Sequence, residues 1–374
     1  MRFSAAGHLR PDVAGKLSDT EASIFSNVCP GKSITQPEIV QGQEKHPIWG
    51  PILTCHAGFS SDTQLRRQGS SGGVISALAA HLLDTEQVDF ILQTAADPSD
   101  PIGNKVQASI SHADIGYAAG SRYAPSAPLE TLNEYLATGK RFAVVGKPCD
   151  IAALRALARH DQRISRQVPV MLSFMCAGMP SRAGTVELLR QMGVQKESLK
   201  TFRYRGDGWP GKAKAVTHDG KVHEKDYNSS WGLVLNRYLQ FRCKVCPDGT
   251  GEFADIVCAD AWYGIDGYPD FSERDGRSLV LCRTSVGMDL LASATKSGAV
   301  ELSELPISEI AKMQPYQVAR KQLVLARLGG AALALGSIPK YRNLGLWQAA
   351  RNARPLDLLT NLLGTFKRAR RDAK

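Results

Sequence analysis

The chain has 374 residues, 43% of them apolar and 22% charged, the profile of an ordinary globular protein with room for one large or two smaller domains. No apolar run approaches the roughly 18 residues of a membrane-spanning helix, and Met1 to His8 lacks the apolar core of a secretory signal, so a cytoplasmic location is expected. The net charge of +10 is uneven, because residues 336–374 carry nine Lys/Arg against two Asp. That end reads first as a solvated helical face and second as a docking surface for an acidic partner such as a ferredoxin. A nucleic-acid partner is not expected.

Residues 1–50 read as irregular, with Cys29-Pro30-Gly31 standing alone. Next, Gly69-Ser70-Ser71-Gly72-Gly73 precedes Val74, Ile75, Leu78, Leu82 and Leu83, a glycine loop opening an amphipathic helix. Strands are predicted at 88–93, 141–146 and 168–174, and helices at 151–158 and 182–192. Further strands are predicted at 200–205, 213–217, 256–259 and 278–283, and residues 286–374 read as mostly helical. Strands alternating with helices predict an α/β (α+β) fold. It has a mixed sheet flanked by helices, a more β-rich second half and a helical C-terminal region.

Eight cysteines in a chain without an export signal favour metal or redox chemistry over disulfides. The strongest local signal is Cys243-Lys244-Val245-Cys246-Pro247, where a Cys-x-x-Cys turn converges two thiolates. A cluster or a tetrahedral metal needs two more. Cys149 and Cys176 each follow a predicted strand, and ligands of α/β sheets gather beyond the carboxyl ends of strands. Cys55, Cys258 and Cys282 sit in apolar runs and read as buried small hydrophobes. Spacing alone leaves open, in descending order, an iron–sulfur cluster, a zinc site, a dithiol and purely structural cysteines.

The glycine loop has the character of a phosphate cradle, since backbone N–H groups at a helix start suit a pyrophosphate. A plain capped helix start is the competing reading, because neither dinucleotide nor Walker spacing is present. The segments Gly120 to Ser126 and Arg205 to Gly211 place arginine beside aromatics and glycines, which suits a planar anionic cofactor. Asp260-Ala261-Trp262 follows a strand and either meets the same ligand or simply packs. No Ser/His/Asp arrangement is evident, so no catalytic residue is assigned.

Taken together and in order, these pieces resemble the beta subunit of the coenzyme F420 hydrogenase/dehydrogenase family. They are the glycine loop, Val145-Gly146-Lys147-Pro148-Cys149-Asp150, Phe174-Met175-Cys176-Ala177-Gly178, Arg205 to Gly211, Cys243-x-x-Cys246 and Ala254 to Trp262, and the resemblance spans about residues 50–310. It implies an iron–sulfur flavoprotein oxidoreductase carrying FAD and a 4Fe–4S cluster, which exchanges hydride with a deazaflavin-like or other small carrier. It implies cluster ligands Cys149, Cys176, Cys243 and Cys246. It implies FAD contacts from Gly69, Ser70, Ser71, Gly72 and Gly73, with Ser121, Tyr123, Arg205, Gly206 and Trp209 lining the pocket. The implied organisation is a ferredoxin-like remnant or linker (1–50), an N-terminal flavin-binding region (51–198), a region with the Cys-x-x-Cys pair (199–310) and a basic helical tail (311–374). A ferredoxin or hydrogenase-type subunit is the expected redox partner, and a homo-oligomer is compatible. Two departures stand out: relatives carry an N-terminal cysteine-rich module of which only Cys29-Pro30 remains, read as truncated or decayed, and Asp150 stands where many have glutamine. A zinc-stabilised, non-redox binding or assembly protein is the alternative.

Overall fold

The structure is a computed structural model and describes residues 1–372 apart from 14, 38–41 and 266–267. Its first helix, α1 (Asp19–Val28), corrects the expectation of irregular chain through 1–50. Ser18 accepts from the Glu21 N–H, and the Glu21 carboxylate accepts from the Ser18 N–H. This capping box was present in the sequence as Ser18-x-x-Glu21, but the helix behind it buries no residue and so lacks a readable apolar stripe.

The body follows as β1 (Thr54–Ser60), α2 (Val74–Asp84), β2 (Phe90–Asp97), β3 (Asp100–Ser109), β4 (Phe142–Gly146), α3 (Pro148–Leu157), β5 (Met171–Phe174) and α4 (Arg182–Gln191). Then come β6 (Leu199–Arg203), β7 (Ala213–Thr217), β8 (Val222–Lys225), β9 (Ile256–Asp260), β10 (Ser278–Cys282), α5 (Ser285–Lys296), β11 (Val300–Glu304), α6 (Pro315–Leu335) and α7 (Pro355–Asp372). Eight strands form one sheet in the order β11-β1-β10-β9-β5-β4-β2-β3, and β6-β7-β8 form a small antiparallel sheet. The four central strands β2, β4, β5 and β9 are parallel, and antiparallel strands flank them. The expected mixed sheet is therefore present. It takes strands from both sides of the 198/199 boundary.

Alternation along the central strands fills both faces. Phe90, Leu92, Phe142, Val144, Met171 and Val257 pack on one side. Ile91, Ala143, Leu172, Ile256 and Cys258 pack on the other, against α2 and α5. Cys55, Cys258 and Cys282 are buried in these layers, as the sequence predicted, and burial pushes their thiols up to about 12, 12 and 11. Among the described residues no helix is long and apolar enough to cross a membrane.

The basic C-terminal segment is a helix docked along α6. A methyl group on Gly330 would strike the Leu362 carbonyl oxygen and lie 3.0 Å from the Phe366 nitrogen, so the crossing depends on glycine. Gly330→Val is expected to cost about 1–3 kcal/mol by overpacking. In limited proteolysis α7 should be released faster than from the parent; an unchanged cleavage rate and melting temperature would show that α7 is held elsewhere.

Candidate functional site

Parallel pairing of β4 with β5 brings the ends of two neighbouring strands to one edge of the sheet. Cys149 lies one residue into α3, directly beyond β4, and Cys176 lies two residues beyond β5. Cys176 is fixed by its N–H to the Gly249 carbonyl (2.8 Å), which ties it to the chain just past Cys246. The Met179 N–H donates to the Cys243 sulfur (3.4 Å), and the Cys246 thiol donates to the Asp248 carbonyl (3.4 Å). The charges of Cys243 and Cys246 act on Cys176, and that of Cys176 acts on Cys149. The four cysteines expected to act together thus share one neighbourhood.

Burial dominates their chemistry as free thiols, pushing Cys176 up to about 12 and raising Cys149 and Cys246. Metal ligation would reverse this by taking the thiolates. The donor set fits a sulfur-ligated cluster: four thiols with Arg242 and Arg320 beside them, and the buried Arg320 Nε without a partner. Among the described residues no three His, Cys, Asp or Glu side chains are placed to hold a single metal ion.

Lys147, between β4 and Cys149, pairs with Asp150 (2.6 Å) and donates to Ser126 Oγ (2.8 Å). Asp150 also accepts from the Lys147 N–H (3.0 Å). Asp150 thus anchors the start of α3.

The glycine loop, the 119–122 stretch and the 203–208 stretch meet on a second site. Ser70 Oγ accepts from both the N–H and the hydroxyl of Ser121 (2.7 Å for the latter). The Gly208 N–H reaches the Arg67 carbonyl (3.1 Å), and Arg203 donates to the Gln68 carbonyl (2.5 Å). A cleft of about 940 Å³ opens here, lined by Gln68, Gly120, Ser121, Arg122, Lys200 and Arg203 among others. Of the residues expected to line the pocket, Ser121 and Arg205 border this cleft.

The others occupy the framework. Gly72 lacks a side chain because a methyl there would sit 2.5 Å from the Gly58 carbonyl oxygen and 2.7 Å from the Ser278 nitrogen. Close approach of protein backbone, rather than of a phosphate, is the visible reason for glycine. Ser71 shares a hydrogen bond with Ser278 Oγ (2.8 Å), and Gly73 takes φ +75° at the head of α2, which has no side-chain cap. Gly69 lies directly beneath Gly73, and Gly206 (φ +121°) lies against the Gln68 carbonyl and the Arg203 side chain. Tyr123 packs on Trp231, with ring centroids 4.5 Å apart.

Arg205, 2% exposed, grips Asp260 at the end of β9 with two bonds of 2.9 and 2.6 Å, so its charge is already matched. Trp209 donates to the same carboxylate (2.7 Å) and stacks on Trp262 at 4.8 Å. The Asp260-Ala261-Trp262 segment therefore packs.

Sequence reasoning missed Arg242, Arg320 and Arg203. Arg320 is about 70 residues from the nearest candidate cysteine and carries no local signal. Arg242 precedes Cys243, where a basic residue reads as surface. Cys29, read as the tail of a truncated or decayed ferredoxin-like module, is drawn in with them: it acts on Arg242, alongside Cys149, Cys246 and Cys243.

Residues 55–133 match the N-terminal part of the family described as coenzyme F420 hydrogenase/dehydrogenase, beta subunit, and residues 139–307 match its C terminus. The chain belongs to this family. Among similar proteins is the coenzyme F420-dependent sulfite reductase of Methanocaldococcus jannaschii, 26% identical over 270 residues, which cover 68% of this chain and 38% of that protein. The coenzyme F420 hydrogenase subunit beta of Methanosarcina barkeri is 25% identical over 268 residues, covering 71% and 85%. The F420-dependent formate dehydrogenase 1 subunit beta of Methanococcus maripaludis is 29% identical over 253 residues, covering 65% and 59%. The chain spans little more than a third of the sulfite reductase and under two thirds of the formate dehydrogenase subunit. A chain of the F420-reducing NiFe hydrogenase complex from Methanosarcina barkeri shares the fold, with TM-score 0.61, 21% identity, and coverage of 79% of this chain and 98% of that one. The family match contains Cys149, Cys176, Cys243, Cys246 and the walls of the cleft, whereas Cys29 and Arg320 lie outside it.

Because buried Arg205 neutralises the half-buried Asp260, Arg205→Met is expected to destabilise the protein by about 1–3 kcal/mol, leaving the carboxylate with Trp209 but no cation. Adding Asp260→Asn should recover part of that loss in denaturant titrations; strictly additive losses would show that the two do not act as a pair.

Proposed function

We propose that the chain is a cytoplasmic iron–sulfur flavoprotein oxidoreductase. Cys149, Cys176, Cys243 and Cys246 hold a 4Fe–4S cluster, and the cleft beside Gly69–Gly73 takes FAD and the carrier it reacts with. When bound, the flavin exchanges hydride with an organic carrier, deazaflavin-like by analogy with the relatives, and passes single electrons to and from the cluster.

The observation that carries this reading is the meeting of four cysteines from three separate stretches at the carboxyl edge of the parallel strands. A tetrahedral zinc site needs sulfurs about 3.8 Å apart. A cubane spreads its ligand sulfurs over roughly 6–7 Å.

The protein's own groups divide the work. Lys200, Arg203 and Arg122 give the cleft a cationic wall for phosphate or carboxylate groups. The start of α2 has no side-chain cap, and an uncapped helix start suits a pyrophosphate. Ser121 stands in the cleft and Ser126 contacts Lys147 beside Cys149. Five residues span at most about 18 Å, so one short segment links the two sites. A hydrogenase-type subunit or a small acidic iron–sulfur protein then completes the circuit.

Anaerobic purification tests this directly. The protein is expected to be brown-yellow with about four iron atoms per chain; colourless protein containing zinc would sink the reading. Cys243→Ser should lose the broad visible absorption, while Cys282→Ser and Cys29→Ala should keep it. Lost iron in Cys29→Ala would reassign the ligands.

A further inference from the structure

Buried cations in this protein have carboxylates paired with them or close by. Arg205 has Asp260, Lys147 has Asp150 and Lys321 has Glu252. The fully buried Arg283 donates to the carbonyls of Trp49, Pro51 and Thr250, with Glu252 and Asp248 nearby. Such matching is what burial of charge requires.

Arg320 and Arg242 break the pattern. Arg320 is only 5% exposed. It donates to two backbone carbonyls, those of Cys176 (3.4 Å) and Cys243 (2.5 Å). Among the described residues its Nε, like that of Arg283, has no partner. Besides burial, the groups acting on it are Cys246, Tyr316, Cys176 and Cys243. Arg242 is half-buried directly before Cys243; a methyl on Gly31 would lie 3.5 Å from the Cys29 sulfur and 3.7 Å from the Arg242 guanidinium carbon, and Cys149, Cys246 and Cys243 also act on Arg242. Among the described residues neither forms an ion pair with a carboxylate. A buried and a half-buried guanidinium group against neutral thiols would leave charge uncompensated. The arrangement balances when the thiols are ionised, as metal ligands are.

We propose that Arg320 and Arg242 are the charge-balancing pair of the cysteine centre and set its reduction potential. The proposal rests on the cluster assignment above. A cluster held by four thiolates is negatively charged, and one-electron reduction makes it more so. A fixed cation at short range stabilises the reduced state more than the oxidised one and raises the potential. No bond forms or breaks, and the guanidinium groups stay protonated throughout. Arg320 has a second effect as a positioning residue, because its bonds to the Cys176 and Cys243 carbonyls hold two ligand-bearing turns at one spacing. It comes from α6, beyond the family match at 139–307, so this part of the centre's environment is supplied by the chain's C-terminal helices.

The experiment uses the full chain, purified anaerobically and titrated against dithionite with mediators, following visible absorbance. Arg320→Gln is expected to keep its iron. At a fixed solution potential its ratio of reduced to oxidised centre should fall about tenfold, a shift of 59 mV for a one-electron couple. Arg320→Lys, which keeps the charge, should recover most of the shift. Arg242→Gln should move the potential in the same direction. A glutamine variant that titrates with the parent overturns the proposal, and so does a lysine variant shifted as far as the glutamine one. If Arg320→Gln loses its iron, the Arg242→Gln titration decides alone, an unchanged potential again overturning it. Parent protein without iron would instead remove the cluster assignment on which the proposal rests.

Discussion

The parallel pairing of β2, β4, β5 and β9 is the constraint on which the rest of the molecule depends. Parallel strands all release the chain at the same edge, so whatever follows each strand meets its neighbours there. Cys149 follows β4, Cys176 follows β5, and Asp260 closes β9. With both faces of the sheet packed under apolar layers, this edge is where polar and sulfur groups from distant stretches can meet at little cost. The Cys243–Cys246 turn is then drawn to it by the bonds that tie residues 176 and 179 to residues 249 and 243.

What was legible in the sequence follows from how local each signal was. Apolar runs ending in glycine or cysteine marked β4 and β5, and the strand at 213–217 was bounded correctly because turns isolate it on both sides. The Cys-x-x-Cys pair is local by nature. β1 was not legible. His56 and Gly58 interrupt its apolar pattern, yet it pairs on both sides and packs in the interior of the sheet. Arg320 could not be found either, since its meaning comes only from a contact between α6 and turns far back in the chain. The glycine loop teaches a different lesson. Its composition pointed to a ligand, and the structure supplies a competing cause in the Gly58 carbonyl and Ser278. Glycine reports close approach without saying what approaches.

Charge is handled differently in different parts of the molecule. At the Arg205–Asp260 pair and the Lys321–Glu252 pair, a buried cation meets a carboxylate and the local sum is neutral. Such pairs fix geometry more than they add stability. Arg205 and Trp209 both hold Asp260, which locks the 205–211 loop onto the end of β9 beside the cleft. The loop's arginine and tryptophan, which looked like cofactor groups, therefore act as struts, and the cationic wall is left to Arg122, Lys200 and Arg203.

The cleft and the four cysteines share no side chain. The 121–126 segment connects them, and it is pinned at several points. Ser121 bonds to Ser70, Asn104 donates to the Ala124 carbonyl (2.9 Å), and Ser126 accepts from Lys147. Arg122 reaches the same Asn104 through its Oδ1 (2.8 Å) and also the Phe202 carbonyl (3.1 Å). A segment held this often along its length cannot shift at one end without strain at the other, because each bond lost in a buried setting leaves an unsatisfied group. The spacing between the two sites is thus fixed by the framework and not by whatever occupies them. For the proposed electron transfer that is the useful arrangement, because the distance would be set when the chain folds.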